Sequence, residues 1–186
     1  MRAMHRWTTE LLDHLACGRA KLLDAVSATA YPLRGRSPAA GRWSVANVLS
    51  HLARTEGQIA SMLQRRTTAS GSTFADVTRD VAGASIVDSF DGAPVLDRSE
   101  RVEAPEWAQP DYDMSADDAM RALVKARQRL AGVLTLNDGL DVRAVRQEHF
   151  FFGELDFYQW AAFAGFHERR HTEQLREIAA ALAGQR

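Results

Sequence analysis

The stretch FHERRHTEQL, residues 166–175, places His167 and His171 four residues apart. In a helix that spacing stacks two imidazoles on one face, where both can reach a single metal ion. Neutral imidazole is the commonest side-chain ligand for transition metals. The pair also has a plainer reading as two hydrogen-bonded core histidines, each needing a partner for its polar nitrogens once buried. His51, in VLSHLARTE, is the candidate for a third ligand. Three histidines from two helices leave coordination positions open, as catalytic sites do and closed structural sites do not. This donor set suits zinc, nickel, iron or cobalt. It also leaves the ion its full charge, enough to lower the pKa of a bound water or thiol. The other histidines fit less well. His5 lies near the N-terminus, His14 beside an apolar stripe, and His149 in the connection before the last helix.

The elements that must position these residues read as helices. The first is expected over Arg6–Thr29, with Trp7, Leu11, Leu15, Leu22 and Val26 on one face. Tyr31–Pro32 ends it, because proline disfavours helix at the preceding residue. The second starts at an N-cap, Ser44, and runs to about Arg66. Its stripe is Val45, Val48, Leu52, Thr55, Ile59 and Met62, widened by Leu49 and Leu63, and His51 falls one position off it, at its border. The third begins at Ser115, with Asp118 as a capping acid, and ends near Asn137. Its stripe is Met120, Leu123, Ala126 or Arg127, Leu130, Val133 and Leu134. The fourth opens at Asp156, with Gln159 in the capping-box position, and ends near Gly184. Trp160, Ala164, His167, His171, Leu175, Ile178 and Leu182 form its inner line, so both histidines sit where apolar residues would otherwise pack.

Between the second and third helices, Thr67–Met114 lacks sustained periodicity and carries Gly71, Gly83, Gly92, Pro94, Pro105 and Pro110. It reads as a long crossover, with a short helix or turn at Ser85–Phe90 and with Trp107 pinning RVEAPEWAQPDYDMS to the bundle surface. No strand-rich region competes. An all-α four-helix bundle, one domain over residues 1–186, is the economical architecture.

Composition narrows the function. The chain is 46% hydrophobic and 25% charged with a net charge of −1, which describes a soluble globular protein without a basic surface for nucleic acid. Arg65–Arg66 and Arg169–Arg170 are too short to form such a patch. Cys17 is the only cysteine, so an intramolecular disulfide and a thiolate metal cluster are both excluded. It is expected to be a buried small residue. The N-terminal stretch lacks the apolar core of a signal peptide, and WAAFAGF at 160–166 is too short to span a bilayer. A cytoplasmic protein is expected. Thr55, Glu56 and Gln174 are candidates to orient the imidazoles, and Trp43, Trp160 and Phe163 to line a pocket.

Two motifs carry a family resemblance: GRWSVANVLSHLARTE at 41–56, and HFFFGELDFYQWAAFAGFHERRHTEQL at 149–175. Together they resemble the DinB/YfiT-like superfamily of metalloenzymes across the whole chain. The resemblance implies an up-down-down-up four-helix bundle, often a homodimer, with a divalent metal, zinc or nickel foremost, on His51, His167 and His171. It implies a small-molecule substrate and low-molecular-weight thiols as partners, since characterised relatives include thiol-dependent transferases and isomerases. One departure is visible: relatives often carry His-Pro before the last helix, where this chain has His149–Phe150. Gly153 is expected to preserve the shape of that loop. For a homodimer, Phe157 and Phe163 are expected to supply exposed apolar surface.

Three functions are compatible with these features. The first is a metal-dependent thiol S-transferase or hydrolase. The second is a non-catalytic, stress-linked metal-binding bundle of the same fold. The third is a helical interaction module whose histidines are structural.

Overall fold

A computed structural model describes residues 3–69, 74–77, 83–99 and 102–185. Gly71 and Arg101 of the crossover lie outside the described residues. Four long helices dominate: α1 Arg6–Ser27, α2 Val45–Ala69, α4 Ala116–Leu136 and α5 Phe157–Ala183. The fold class is all-α, as expected. The caps form where the sequence places them. Ser44 and Asn47 exchange hydrogen bonds at the start of α2. Ser115 accepts from the Asp118 N–H at the start of α4, and Asp156 with Gln159 completes a capping box on α5.

The crossover contains more structure than periodicity revealed. A 3₁₀ turn at Val87–Ser89 fills the place of the expected short element, a one-turn helix α3 follows at Ala93–Leu96, and a second 3₁₀ turn spans Glu106–Ala108. Trp107 does not pin this segment, because its side chain is 48% exposed. Its neighbour Ala108 is buried instead, and Arg54 holds the Trp107 carbonyl. The second connection also departs from expectation. It folds into an antiparallel hairpin, β1 Arg146–His149 with β2 Gly153–Asp156, in register His149↔Gly153 to Arg146↔Asp156. Four-residue strands are too short to announce themselves by alternation. Gly153 sits at φ 69, in the left-handed region that glycine enters without strain.

Helix α1 packs along α5, and α2 along α4. The contacts of α1 with α5 advance together, from Trp7 with Tyr158, through His14 with Ala162, to Arg19 with Glu168. These two helices therefore run in the same direction. Helices α2 and α4 do likewise: Val45 and Leu49 share a cluster with Ala119 and Leu123, and Ile59 and Leu63 share one with Leu130 and Leu134. Parallel neighbours cannot be joined by a tight turn, so the long crossover is a geometric necessity. Gly165 lets α1 approach closely, since a Cβ there would lie 2.1 Å from Nε2 of His14.

The expected stripes form two apolar clusters, one at each end of the bundle. Between them lies a buried charge quartet, with one residue from each long helix. Arg19 pairs with Glu56 and Glu168, and Arg127 pairs with the same two carboxylates. Phe157 and Phe163 are buried at 1% and 5%, so they supply no exposed dimer surface. Both turn into the aromatic end of the core, because α5 is covered there by α1, the crossover and the hairpin. Cys17 is exposed rather than buried, because it falls between the inward positions Leu15 and Gly18 on α1. Among the described residues, no helix is long and apolar enough to cross a membrane.

Candidate metal centre

His51 on α2 meets His167 and His171 on α5. One ring nitrogen from each lies within 4.8 Å of the other two. Nε2 of His167 is 3.3 Å from Nε2 of His51 and 3.2 Å from Nε2 of His171. His51, expected at the border of its stripe with solvent or a cleft, is buried and faces the cleft. The crossover lies over that face of α2 and contributes the Ala108 carbonyl, 2.6 Å from Nδ1 of His51. No local signal could reveal this partner, which is 57 residues away in sequence. Nδ1 of His171 lies 2.7 Å from Oε1 of Gln174, one of the three side chains expected to orient an imidazole. The other two behave differently. Glu56 turns away into the charge quartet. Thr55 lines the same cavity as the histidines, and its hydroxyl has no hydrogen-bond partner among the described residues.

Hydrogen bonding fixes the tautomers. The Ala108 and Gln174 oxygens are acceptors, so Nδ1 of His51 and of His171 carries the proton and donates it. Nε2 of each ring is then a bare lone pair, and both face Nε2 of His167. A single N–H on His167 satisfies at most one of them, whereas a cation satisfies all three. The two separations made by His167 suit that donor set: a tetrahedral ion about 2.0–2.1 Å from its ligands spaces their nitrogens about 3.3–3.4 Å apart. Burial lowers the pKa of all three imidazoles, and repulsion within the cluster lowers His167 and His171 further. The neutral form, which ligates metals, is thus the folded form. The residues present fit a divalent transition metal.

The histidines line a cavity of about 900 Å³. Trp43, Trp160 and Phe163 line it as expected, and Trp43 lies 4.9 Å from the His51 ring. Phe163 stacks on His167, with centroids 5.3 Å apart. His149 lies in the cavity wall rather than among the clustered histidines. Burial pushes its imidazole down to about 4. Its Nδ1 accepts the N–H groups of Phe151 and Phe152, so the neutral ring closes the hairpin turn. An unfolded histidine titrates near about 6.5. This group's stabilisation is therefore full above about pH 6.5 and falls as the pH drops towards 4, by on the order of 2–3 kcal/mol. Denaturant titrations at about pH 7 and about pH 4 should show that acid-side loss shrink by this amount in His149→Asn, whose Oδ1 keeps the acceptor. An equal loss in both proteins would mean that the turn does not hold the ring neutral.

Comparison with known proteins places the chain beside a family and a bacterial relative. A sequence model of the DinB superfamily matches residues 14–175. The chain is 29% identical over 147 residues to the uncharacterized protein YuaE of Bacillus subtilis (strain 168), covering 77% of this chain and 81% of that protein. No solved structure matches.

Proposed function

The chain belongs to the DinB superfamily, and from that premise we propose that it is a metal-dependent enzyme in which His51, His167 and His171 hold a divalent ion, zinc or nickel foremost. The reaction class is thiol-dependent S-transfer or hydrolysis on a small molecule, with a low-molecular-weight thiol as partner, in a cytoplasmic homodimer. The family commonly binds divalent metals. One observation carries the reading: three Nε2 atoms converge while Nδ1 of His51 and of His171 is tied to an oxygen acceptor. A bound ion supplies charge that turns a thiol or water into a nucleophile near neutral pH.

The protein's own residues do the rest. Ala108 and Gln174 hold two imidazoles in the ligating tautomer and orientation. Phe163 fixes the third ring by stacking. Trp43, Trp160 and Phe163 wall the site with apolar surface, which strengthens electrostatic interactions inside it.

Elemental analysis of the purified protein tests the metal. About one transition-metal ion per chain is expected, lost in His167→Ala/His171→Ala. A wild-type protein that neither carries metal nor takes up added zinc or nickel, and a double variant that folds unchanged, would make the three histidines core residues and end the reading. Thiol consumption with an electrophile, compared between the loaded protein and the double variant, then tests catalysis.

A further inference from the structure

Ten large hydrophobic side chains are exposed among the described residues, and five of them line the histidine cavity. Phe150 and Phe151, 63% and 59% exposed, form the tip of the β1–β2 hairpin. Val102, Trp107 and Tyr112 of the crossover line the same cavity. A hairpin tip ordinarily takes Gly, Asn, Asp or Ser, yet this one carries three consecutive phenylalanines. Phe152 packs inward against Phe90 and Phe163, whereas Phe150 stacks on His149 and Phe151 lies edge-on to Phe152, and both of these keep most of their surface exposed. Apolar side chains gathered in this way mark a binding surface.

We infer that these residues are two aromatic lips of the cavity, and that they receive the large apolar body of a substrate whose reacting end reaches the three histidines. This rests on the proposed function for the reacting end alone, because the lips recognise the apolar body without the metal. The volume, about 900 Å³, is at the upper end of the range that encloses a drug-sized molecule. A small molecule fits better than a protein face: a face laid across the lips would leave the interior unfilled, at the cost of its dispersion contacts. Two of the three cations on the wall, Arg98 and Arg170, are not disposed as an anion trap. Arg98 donates to the Arg170 carbonyl and to Glu177, and Arg170 donates to the carbonyls of Val95 and Asp97. They bind the crossover to α5.

The test is a fluorescence titration with N-phenyl-1-naphthylamine, a neutral aromatic probe. It uses metal-free and zinc-loaded wild type, Phe150→Ser/Phe151→Ser and His167→Ala/His171→Ala. Both Phe side chains are exposed, so the lip variant should keep its helical circular dichroism, its melting temperature and its zinc content. Saturable binding at one probe per chain is expected in wild type and in the histidine variant. Affinity should fall roughly ten- to hundredfold in the lip variant. Equal affinity in wild type and lip variant, or no saturable binding, would overturn the inference. So would a wild-type dimer that the lip variant dissolves, since the lips would then be an interface between copies. Failure of the metal reading would appear in elemental analysis and leave the probe titration intact.

Discussion

Replacing Glu168 with Gln should destabilise the protein by about 3–5 kcal/mol, the usual cost of removing one partner from a buried ion pair. At this chain length that corresponds to a fall of roughly 6–20 °C in melting temperature. Glu168 is 1% exposed and accepts from both Arg19 and Arg127. With Glu56 the quartet is neutral, two guanidiniums against two carboxylates. Removing one carboxylate's charge leaves an uncompensated positive charge between two apolar clusters, where little water reaches it. Burial raises the Glu56 carboxyl above its ordinary value even against the pull of Arg127 and Arg19. The remaining carboxylate is therefore a poor substitute for the pair. Glu173→Gln, which removes the exposed partner of Arg176, serves as the control and should be nearly silent. If the two variants melt together, the quartet does not hold the bundle.

The quartet also bears on the site. Each long helix contributes one of its residues, and the four pair only when the helices are in register. Glu168 follows His167 directly, and Glu56 lies little more than one turn beyond His51. The register that pairs the charges also sets α5 against α2 so that the imidazoles meet. Apolar stripes alone would tolerate a slide of one helix turn, because leucine packs against leucine in either register. A charge misplaced by a turn is left unpaired.

Much of this was legible in the sequence, for physical reasons that differ from part to part. The four helices announce themselves because a one-sided apolar face repeats every 3.6 residues, and the caps at Ser44, Ser115 and Asp156 rest on bonds within three residues. His167 and His171 were legible because their place on the inner line is local to α5. The burial of His51 was not, since the crossover covers it through Ala108. Arg127 fell beside the inner stripe as an alternative to Ala126, which was a visible sign that a charge faces inward. Its partners lie on three other elements, so spacing within one helix could not find them. The exposure of Phe150 and Phe151 depends on a hairpin whose strands are too short to read.

His51→Ala should remove most of the zinc affinity, and Gln174→Leu a smaller, defined part. Of the three proposed ligands, His51 alone comes from α2. Without it, His167 and His171 remain as an i, i+4 pair on one helix, open to competing water. Gln174 is not one of the proposed ligands. It holds Nδ1 of His171 and so fixes that ring's tautomer. Losing such an outer partner costs about 10–100-fold in metal affinity, and losing a ligand should cost more. Competition titration against a chelator ranks the three proteins. Melting curves give an independent reading, because a ligand at about 100 times its Kd stabilises the folded state by about 2.7 kcal/mol. Wild type should gain that shift with zinc, Gln174→Leu should need proportionally more zinc to reach it, and His51→Ala should not reach it. Identical zinc responses in wild type and His51→Ala would place the ion elsewhere. The converging nitrogens would then be a strained knot in the core, with the lone pairs of His51 and His171 competing for one proton on His167.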